Sequence, residues 1–319
     1  MTHPERATAD ADATAERVLV SNPVSGDAGH AERVRELAGE YGFAVRETEG
    51  EGDAIRFAAE AANEGADLVA AAGGDGTLNE VIRGLVRADA LPEVEFAAVP
   101  AGTGNNFADN VGIEGIEHAF ELIETGDRRR IDLGVADDAP FLNSAVCGLT
   151  ADASADTDAE AKSELGVLAY VLETLRTAAS FDGVSLDIEA FGAADGETKW
   201  TGTAVLLLVG NARCFPAQGR SQANVEDGLF DVAVVEKRPG SDLAGLARTA
   251  VLERVLGTDA EYVTRLRAPA LSVQVIDDGP ATFSLDGELQ SVTEVDLRTK
   301  PSAVRLPVGP AYRPNPDAE

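Results

Sequence analysis

Gly73-Gly74-Asp75-Gly76-Thr77-Leu78-Asn79-Glu80 lies between two apolar patterns of different period. Before it, Asp67-Leu68-Val69-Ala70-Ala71-Ala72 is a short bounded run, as a buried parallel strand would be. After it, apolar residues at 78, 81, 82, 85 and 86 follow helical spacing. The glycines therefore occupy a strand-to-helix turn. A helix start offers free backbone N–H groups and the positive end of the helix dipole. Glycine allows positive φ and lets a phosphate approach closely. Asp75 puts a carboxylate where a phosphate-bound metal or an incoming hydroxyl needs one. A plain glycine turn would not also gather Thr77, Asn79 and Glu80 within a turn and a half.

On the N-terminal side, residues 17–21 read as a first strand that runs into Asn22-Pro23-Val24-Ser25-Gly26, a capping and cradling turn. A helix with Ala31, Val34, Leu37 and Ala38 on one face follows. A second strand spans 43–48, ending at Thr48, and an Ala-rich helix spans 53–64. On the C-terminal side, residues 94–99 form a fourth strand that ends in Pro100-Ala101-Gly102-Thr103-Gly104-Asn105-Asn106-Phe107-Ala108. This alternation predicts an α/β domain with a doubly wound parallel sheet over 17–133. Three glycine-containing loops leave the C-terminal ends of its first, third and fourth strands. Such sheets bind ligands along that edge.

From about 135 the texture changes. Short β-like runs at 141–146, 184–191, 200–209, 229–235, 271–276 and 281–285 are separated by turn signals, with Asp-Gly at 182–183, 195–196 and 227–228. Helix spacing recurs only at 165–178 and 243–256. The expectation is a mainly antiparallel, β-sandwich-like domain over 134–300. A C-terminal segment at 301–319 is expected to return toward the first domain, with a Pro-rich, irregular tail beyond Pro307. The acidic stretch 152–164 joins strand to helix, and residues 1–16 read as a disordered polar tail rather than a signal peptide.

The chain has 319 residues, 44% hydrophobic and 5% aromatic, with a net charge of −30 and four Lys against twenty-two Arg. An acidic surface repels phosphates and so opposes nucleic-acid binding. It suits a halophile-type protein that stays soluble in concentrated salt. No run reaches the length of a membrane span. Cys147 and Cys214 form no CxxC pair and read as packed small residues. His3, His30 and His118 are scattered and support no histidine metal site. Asp152, Asp156 and Asp158 read as solvated surface in so acidic a chain. The cytoplasm is the expected location, with transient membrane association.

With these elements in place, the chain resembles the diacylglycerol kinase catalytic domain superfamily. More narrowly it is similar to the soluble bacterial and archaeal lipid kinases related to diacylglycerol and sphingosine kinases. The resemblance rests on the Asn22–Gly26 turn, Gly73 to Thr77, the Pro100 to Ala108 element, Phe141-Leu142-Asn143 and Leu165 to Tyr170. It continues through Gly210-Asn211, Asp227-Gly228-Leu229-Phe230-Asp231-Val232 and Asp286-Gly287-Glu288, spanning roughly 17–307. Gly-Gly-Asp-Gly-Thr is shared with NAD kinases and phosphofructokinases; the Pro100–Ala108 and Asp227–Val232 elements in this order are more specific.

The resemblance implies an NAD-kinase-like nucleotide domain, a β-sandwich domain, and ATP in the cleft between them. Asn22, Pro23, Ser25, Gly26, Thr48, Gly74, Asp75, Gly76, Thr77, Leu78, Asn79, Glu80, Gly102, Thr103 and Asn105 would surround the nucleotide. Asp227, the Leu229 carbonyl and Asn224 would hold a structural Mg²⁺. Asp286 and Glu288 would form the site where an acceptor hydroxyl loses its proton, with Asp75 and Asp132 linking it to a catalytic Mg²⁺. The physics agrees: phosphoryl transfer needs charge neutralisation and a positioned carboxylate.

The implied activity is an ATP-dependent kinase acting on a hydroxyl of a glycerolipid (diacylglycerol-like or an archaeal diether) or of a sphingoid lipid. The partner is a lipid at a membrane surface, with Leu165 to Leu168, Phe181 and Phe215 as candidate entry residues. The resemblance also leaves room for a homodimer. Departures fall on the acceptor side: Thr150 replaces a glycine, residues 212–219 keep one glycine, and Ser221-Gln222-Ala223 replaces Pro-x-Ala. Two rivals follow, an NAD-kinase-like phosphotransferase and a non-catalytic lipid- or nucleotide-binding protein.

Overall fold

The computed structural model describes residues 17–26, 29–148, 182–193, 199–217, 220–237 and 263–316. The N-terminal tail, the helix patterns at 165–178 and 243–256, the acidic stretch, Thr150, Tyr170 and the entry residues Leu165 to Leu168 and Phe181 lie outside the described residues, as does the side chain of Phe215.

Four parallel strands form the first sheet: β1 (Arg17–Ser21), β2 (Phe43–Glu47), β3 (Leu68–Gly73) and β4 (Glu95–Pro100), in the order β2-β1-β3-β4. β3 is buried along its whole length, and its Ala-rich middle lets helices approach closely. α1 (His30–Glu40) joins β1 to β2; α2 (Asp53–Asn63) and α3 (Asp75–Arg87) join the next pairs. Right-handed crossovers require α1 on one face and α2 with α3 on the other, because the strand order reverses after β2. α2 and α3 indeed pack together, while α1 meets α5 (Ile116–Thr125). The reversal between β1 and β3 opens a crevice at the C-terminal ends of these strands, the position where doubly wound sheets take ligands.

β5 (Asp127–Ala136) carries the chain into a second, antiparallel sheet of eleven strands. Its centre is β9 (Lys199–Gly210), a twelve-residue strand. β8 (Val184–Phe191) lies along one half of β9, and β7 (Ser144–Gly148) along the other half. The opposite edge of β9 pairs with β12 (Phe230–Glu236), which pairs in turn with β13 (Val263–Ala268). β14 (Ala270–Val275) links β8 to β17 (Glu294–Val308), and β17 runs beside β5. The hairpin of β15 (Ala281–Leu285) and β16 (Glu288–Val292) is attached through β7. β6 (Ala139–Phe141) closes the far edge against β5, and β10 (Arg213–Ala217) with β11 (Arg220–Gln222) makes a separate ribbon.

Two cores result. One surrounds the parallel sheet and includes Ile131, Val304, Leu306 and Tyr312, so β5, the end of β17 and the chain beyond it brace the first domain. The other fills the antiparallel sheet around Phe141, Leu207, Phe230 and Phe283. Charge alternation hid two long strands from sequence inspection. Residues 127–130 read Asp-Arg-Arg-Arg and residues 294–302 are mostly polar, yet both regions are ladder partners in β5 and β17. The run at 141–146 is likewise two short strands, separated at Leu142 and Asn143.

Candidate active site

The three glycine loops meet at the crevice through backbone contacts. A Cβ on Gly102 would lie 2.2 Å from the Gly74 Cα, so neither loop could approach the other with a side chain there. Ala101 N–H donates to the Gly73 carbonyl (3.0 Å), and Asp75 N–H to the Gly104 carbonyl (3.1 Å). Ser25 Oγ donates toward the Asn22 and Ala101 carbonyls at 2.9 and 3.0 Å, fastening the first loop to the third. Asn105 closes its own loop, accepting from Gly102 N–H and donating to the Gly102 carbonyl. Thr48 is tied to β1 through its N–H and the Ser21 carbonyl. At the start of α3, the Gly76 and Thr77 N–H groups have no acceptor among the described residues, as a helix N-terminus leaves them. That is an anion-binding geometry. Leu78 and Asn79, in the same turn, have buried side chains.

Asp75 faces away from those amides. Its Oδ1 accepts from Phe107 N–H (2.9 Å), and Oδ2 accepts from the backbone and side-chain nitrogens of Asn106 (3.1 and 2.8 Å). α4 (Asn106–Asn110) is thereby docked on the start of α3. Asp109 on α4 has its carboxyl raised above the ordinary range by burial and then by the Asp75 charge.

Asp286 occupies the two-residue turn between β15 and β16. Its φ of 50° and Gly287's of 100° give the left-handed conformation that Asp-Gly hairpins favour. Its carboxylate is gripped by three successive backbone N–H groups: Leu142 to Oδ2 at 2.6 Å, Asn143 to Oδ1 at 2.9 Å and Ser144 to Oδ1 at 2.8 Å. Burial raises its pKa to about 7 against these donors, and the nearby Asp75 charge adds to the rise. Through these backbone bonds Asp286 fixes the hairpin.

Arg213 stands between these groups. Its N–H donates to the Asn143 carbonyl (3.3 Å), one residue's width from the Asp286 nest. The preceding Ala212 carbonyl accepts from Asn110 of α4 (3.0 Å). The guanidinium lies within electrostatic reach of Asp75, Asp286 and Asp109, while burial lowers its pKa. Its side chain makes no hydrogen bond or ion pair among the described residues.

Glu288 sits two residues beyond Asp286 and is ion-paired through both carboxylate oxygens with Arg83 of α3. Its side chain retains 40% of its surface, which leaves it reachable from the crevice. Glu80, one turn before Arg83, has its carboxyl raised by burial and then by the Glu288 charge. The expected Asp286–Glu288 pair thus divides into a fixed anchor and an accessible carboxylate.

The side-chain oxygens expected at the metal positions accept from protein donors. Asp132 is buried, and its two oxygens accept from Gly228 N–H (2.6 Å) and Ser302 N–H (2.8 Å). It locks the β12 approach to β17, and Asp75 is not among its partners. Asn224 Oδ1 accepts from Glu226 N–H (3.0 Å). Asp227 Oδ1 accepts from Leu229 N–H (3.0 Å), and Oδ2 pairs with Arg267. Magnesium requires near-octahedral oxygen ligation; here the side-chain oxygens proposed for it already have donors. As they stand, these residues do not fit a divalent ion.

Sequence inspection passed over Arg83, Asn106, Asp109, Arg213 and Arg267. Asn106 lay inside a quoted motif and Arg213 inside a loop marked as altered, so both carried a signal. Arg83 and Arg267 are basic residues on a helix and a strand with no local mark.

Comparison with known proteins agrees with this architecture. Residues 16–136 match the diacylglycerol kinase catalytic domain, and residues 143–308 match the YegS C-terminal NAD kinase beta sandwich-like domain. The fold is thus that of a kinase with a diacylglycerol-kinase-type catalytic domain. A protein of Stenotrophomonas maltophilia named "Probable lipid kinase YegS-like" is 35% identical over 285 residues, covering 83% of this chain and 87% of its own. One of Pseudomonas aeruginosa with the same name is 34% identical, covering 87% and 89%. The chain belongs to this YegS-like family of lipid kinases. A crystal structure of a candidate diacylglycerol kinase from Bacillus anthracis shares the fold, with a TM-score of 0.76 at 24% identity over 93% of this chain and 96% of that one.

Proposed function

We propose that the protein transfers the γ-phosphate of ATP, bound as its magnesium complex, to a hydroxyl of a glycerolipid of the diacylglycerol or diether type. The observation that carries this reading is the docking of the Glu288 hairpin, through Arg83, on the same helix α3 whose first turn presents the anion-binding amides. The acceptor oxygen attacks the γ-phosphorus, the bond to the bridging oxygen breaks, and ADP leaves. Glu288 is the accessible carboxylate and takes the hydroxyl proton. Asp286 anchors the hairpin that carries Glu288.

Negative charge on the transferred group needs compensation. The Gly76 and Thr77 amides supply part of it. The described loop segments Asn22–Gly26, Gly73–Leu78 and Ala101–Asn106 contain no Lys or Arg. Arg213, whose guanidinium lies within electrostatic reach of Asp75 and Asp286, supplies the side-chain cation. No helix among the described residues is long and apolar enough to cross a membrane, which fits a lipid met at the surface. The net charge of −30 would repel anionic bilayers in dilute buffer. At 1 M salt the screening length is about 3 Å, and that repulsion fades.

The test is transfer of labelled γ-phosphate from ATP into a total polar lipid extract, in molar KCl with Mg²⁺, with Glu288→Gln alongside. A labelled lipid that disappears in the variant is the expected result. Bound ATP with no labelled lipid would overturn the acceptor assignment, and labelled NADP⁺ from added NAD⁺ would replace it.

A further inference from the structure

We propose that the Arg267 guanidinium is the resident cation of the Asp227 loop, standing where the resemblance implies a structural Mg²⁺, and that the loop binds no metal. The inference does not depend on which acceptor the kinase uses. Asp231 and Arg267 are directly opposite in the β12–β13 register, an opposite-charge cross-strand pair. From that position Arg267 reaches both ends of the Asp227-Gly228-Leu229-Phe230-Asp231 segment. Its Nη2 donates to Asp227 Oδ2, and its Nε lies 3.3 Å from Asp231 Oδ1. A planar guanidinium with donors on several edges can bridge two carboxylates that a point charge would have to share.

The rest of the loop is satisfied by protein groups. Leu229 N–H donates to Asp227 Oδ1, Gly228 N–H to Asp132 Oδ2, and Thr299 Oγ1 to the Gly228 carbonyl (2.7 Å). Position 224 carries a neutral amide, whose oxygen is held by Glu226 N–H. A dication would therefore find Asp227 as its only charged ligand among the three expected positions. It would also have to displace Arg267 or accept a like charge at hydrogen-bond distance. Neither is favourable, because Mg²⁺ gives up its water shell reluctantly and needs anionic oxygens in return.

The experiment uses the full chain, stripped with EDTA and free of nucleotide, titrated with Mn²⁺ and followed by electron paramagnetic resonance. Thermal melts with Mg²⁺ or EDTA at matched ionic strength run beside it. The expected result is no stoichiometric Mn²⁺ at the loop and the same melting temperature in both buffers. Arg267→Met should melt on the order of a few degrees lower and recover part of that with Mg²⁺, since Asp227 and Asp231 are then free to bind it. A wild-type chain that retains an ion lost in Asp227→Asn would overturn the proposal. An ion that Asp227→Asn leaves in place lies elsewhere and leaves the proposal standing. If Arg267→Met does not fold, the wild-type titration still decides.

Discussion

Arg83 of α3 is ion-paired with both carboxylate oxygens of Glu288, a residue 205 positions away at the start of β16. The contact ties the helix whose first turn presents the anion-binding amides to the hairpin that carries the accessible carboxylate. With Asp286 gripped by the Leu142 to Ser144 amides, the hairpin is held from both sides.

Arg83→Gln should lower turnover far more than stability. The side chains are 25% and 40% exposed, so the pair contributes about 0.5–1 kcal/mol to folding. Its larger effect is to hold Glu288 in place, and a misplaced catalytic group costs roughly 100-fold in rate. The check is a double-mutant cycle with Glu288→Gln, measured in both melting temperature and transfer rate. In the Glu288→Gln background, Arg83→Gln should have little further effect on rate. An equal loss in both backgrounds would place the action of Arg83 elsewhere.

Gly102→Ala should damage nucleotide binding. The added methyl would lie 2.2 Å from the Gly74 Cα, and that neighbour is backbone. The two loops must part, at a cost of about 1–3 kcal/mol by analogy with other overpacked sites. The Michaelis constant for ATP should rise while that for the acceptor changes little. An Ala variant with an unchanged ATP constant would mean that the loops do not contact the nucleotide.

Much of this was legible in the sequence, for a physical reason. The parallel strands are buried on both faces, so they appear as apolar runs bounded by glycine loops, and β1 to β4 fall within a residue or two of the pattern. Glycines that touch other backbones, such as Gly74 and Gly102, are visible because no other residue fits. β5 and β17 were not legible: each exposes a charged face, and their pairing spans more than 160 residues. Partners of charged groups were invisible for the same reason. Nothing near Arg83 or Arg267 in the chain names Glu288 or Asp227, since ion pairs depend on tertiary placement. The turn Asp286-Gly287-Glu288 reads as a hairpin signal and a candidate site at once, and the Leu142 to Ser144 nest holds only the first of its two carboxylates.

The Asp286 anchor should leave a mark on the pH dependence of stability. Its ordinary value of 3.8 is raised to about 7 in the folded chain. The folded state thus resists ionisation that the unfolded chain accepts. The contribution of Asp286 to stability is fully present below pH 3.8 and is lost as pH rises to about 7, at about 1.4 kcal/mol per unit of displacement. Asp286→Asn cannot titrate, so its melting temperature should fall less steeply with rising pH across that window than the wild type does. The Asn variant will be less stable throughout, because its amide cannot accept from all three donors; the slope is the diagnostic quantity. Parallel pH profiles would mean that Asp286 ionises normally in the folded protein.

Arg213→Met should separate activity from stability. A partly buried cation with no ion-pair partner among the described residues is a poor stabilising device, since burial of charge costs free energy unless it is paired. Removing it should leave the melting temperature unchanged or raise it. If the guanidinium compensates charge on the transferred phosphoryl group, its loss should lower turnover by roughly 100- to 1,000-fold, as loss of a preorganised donor does. Arg213→Lys keeps the charge on a shorter, differently shaped head and should recover part of the rate. Binding of ADP, which lacks the transferred group, should change little in either variant. A stability loss as large as the activity loss, or an equal effect on ADP affinity, would make Arg213 a structural residue of the Asn143 loop instead.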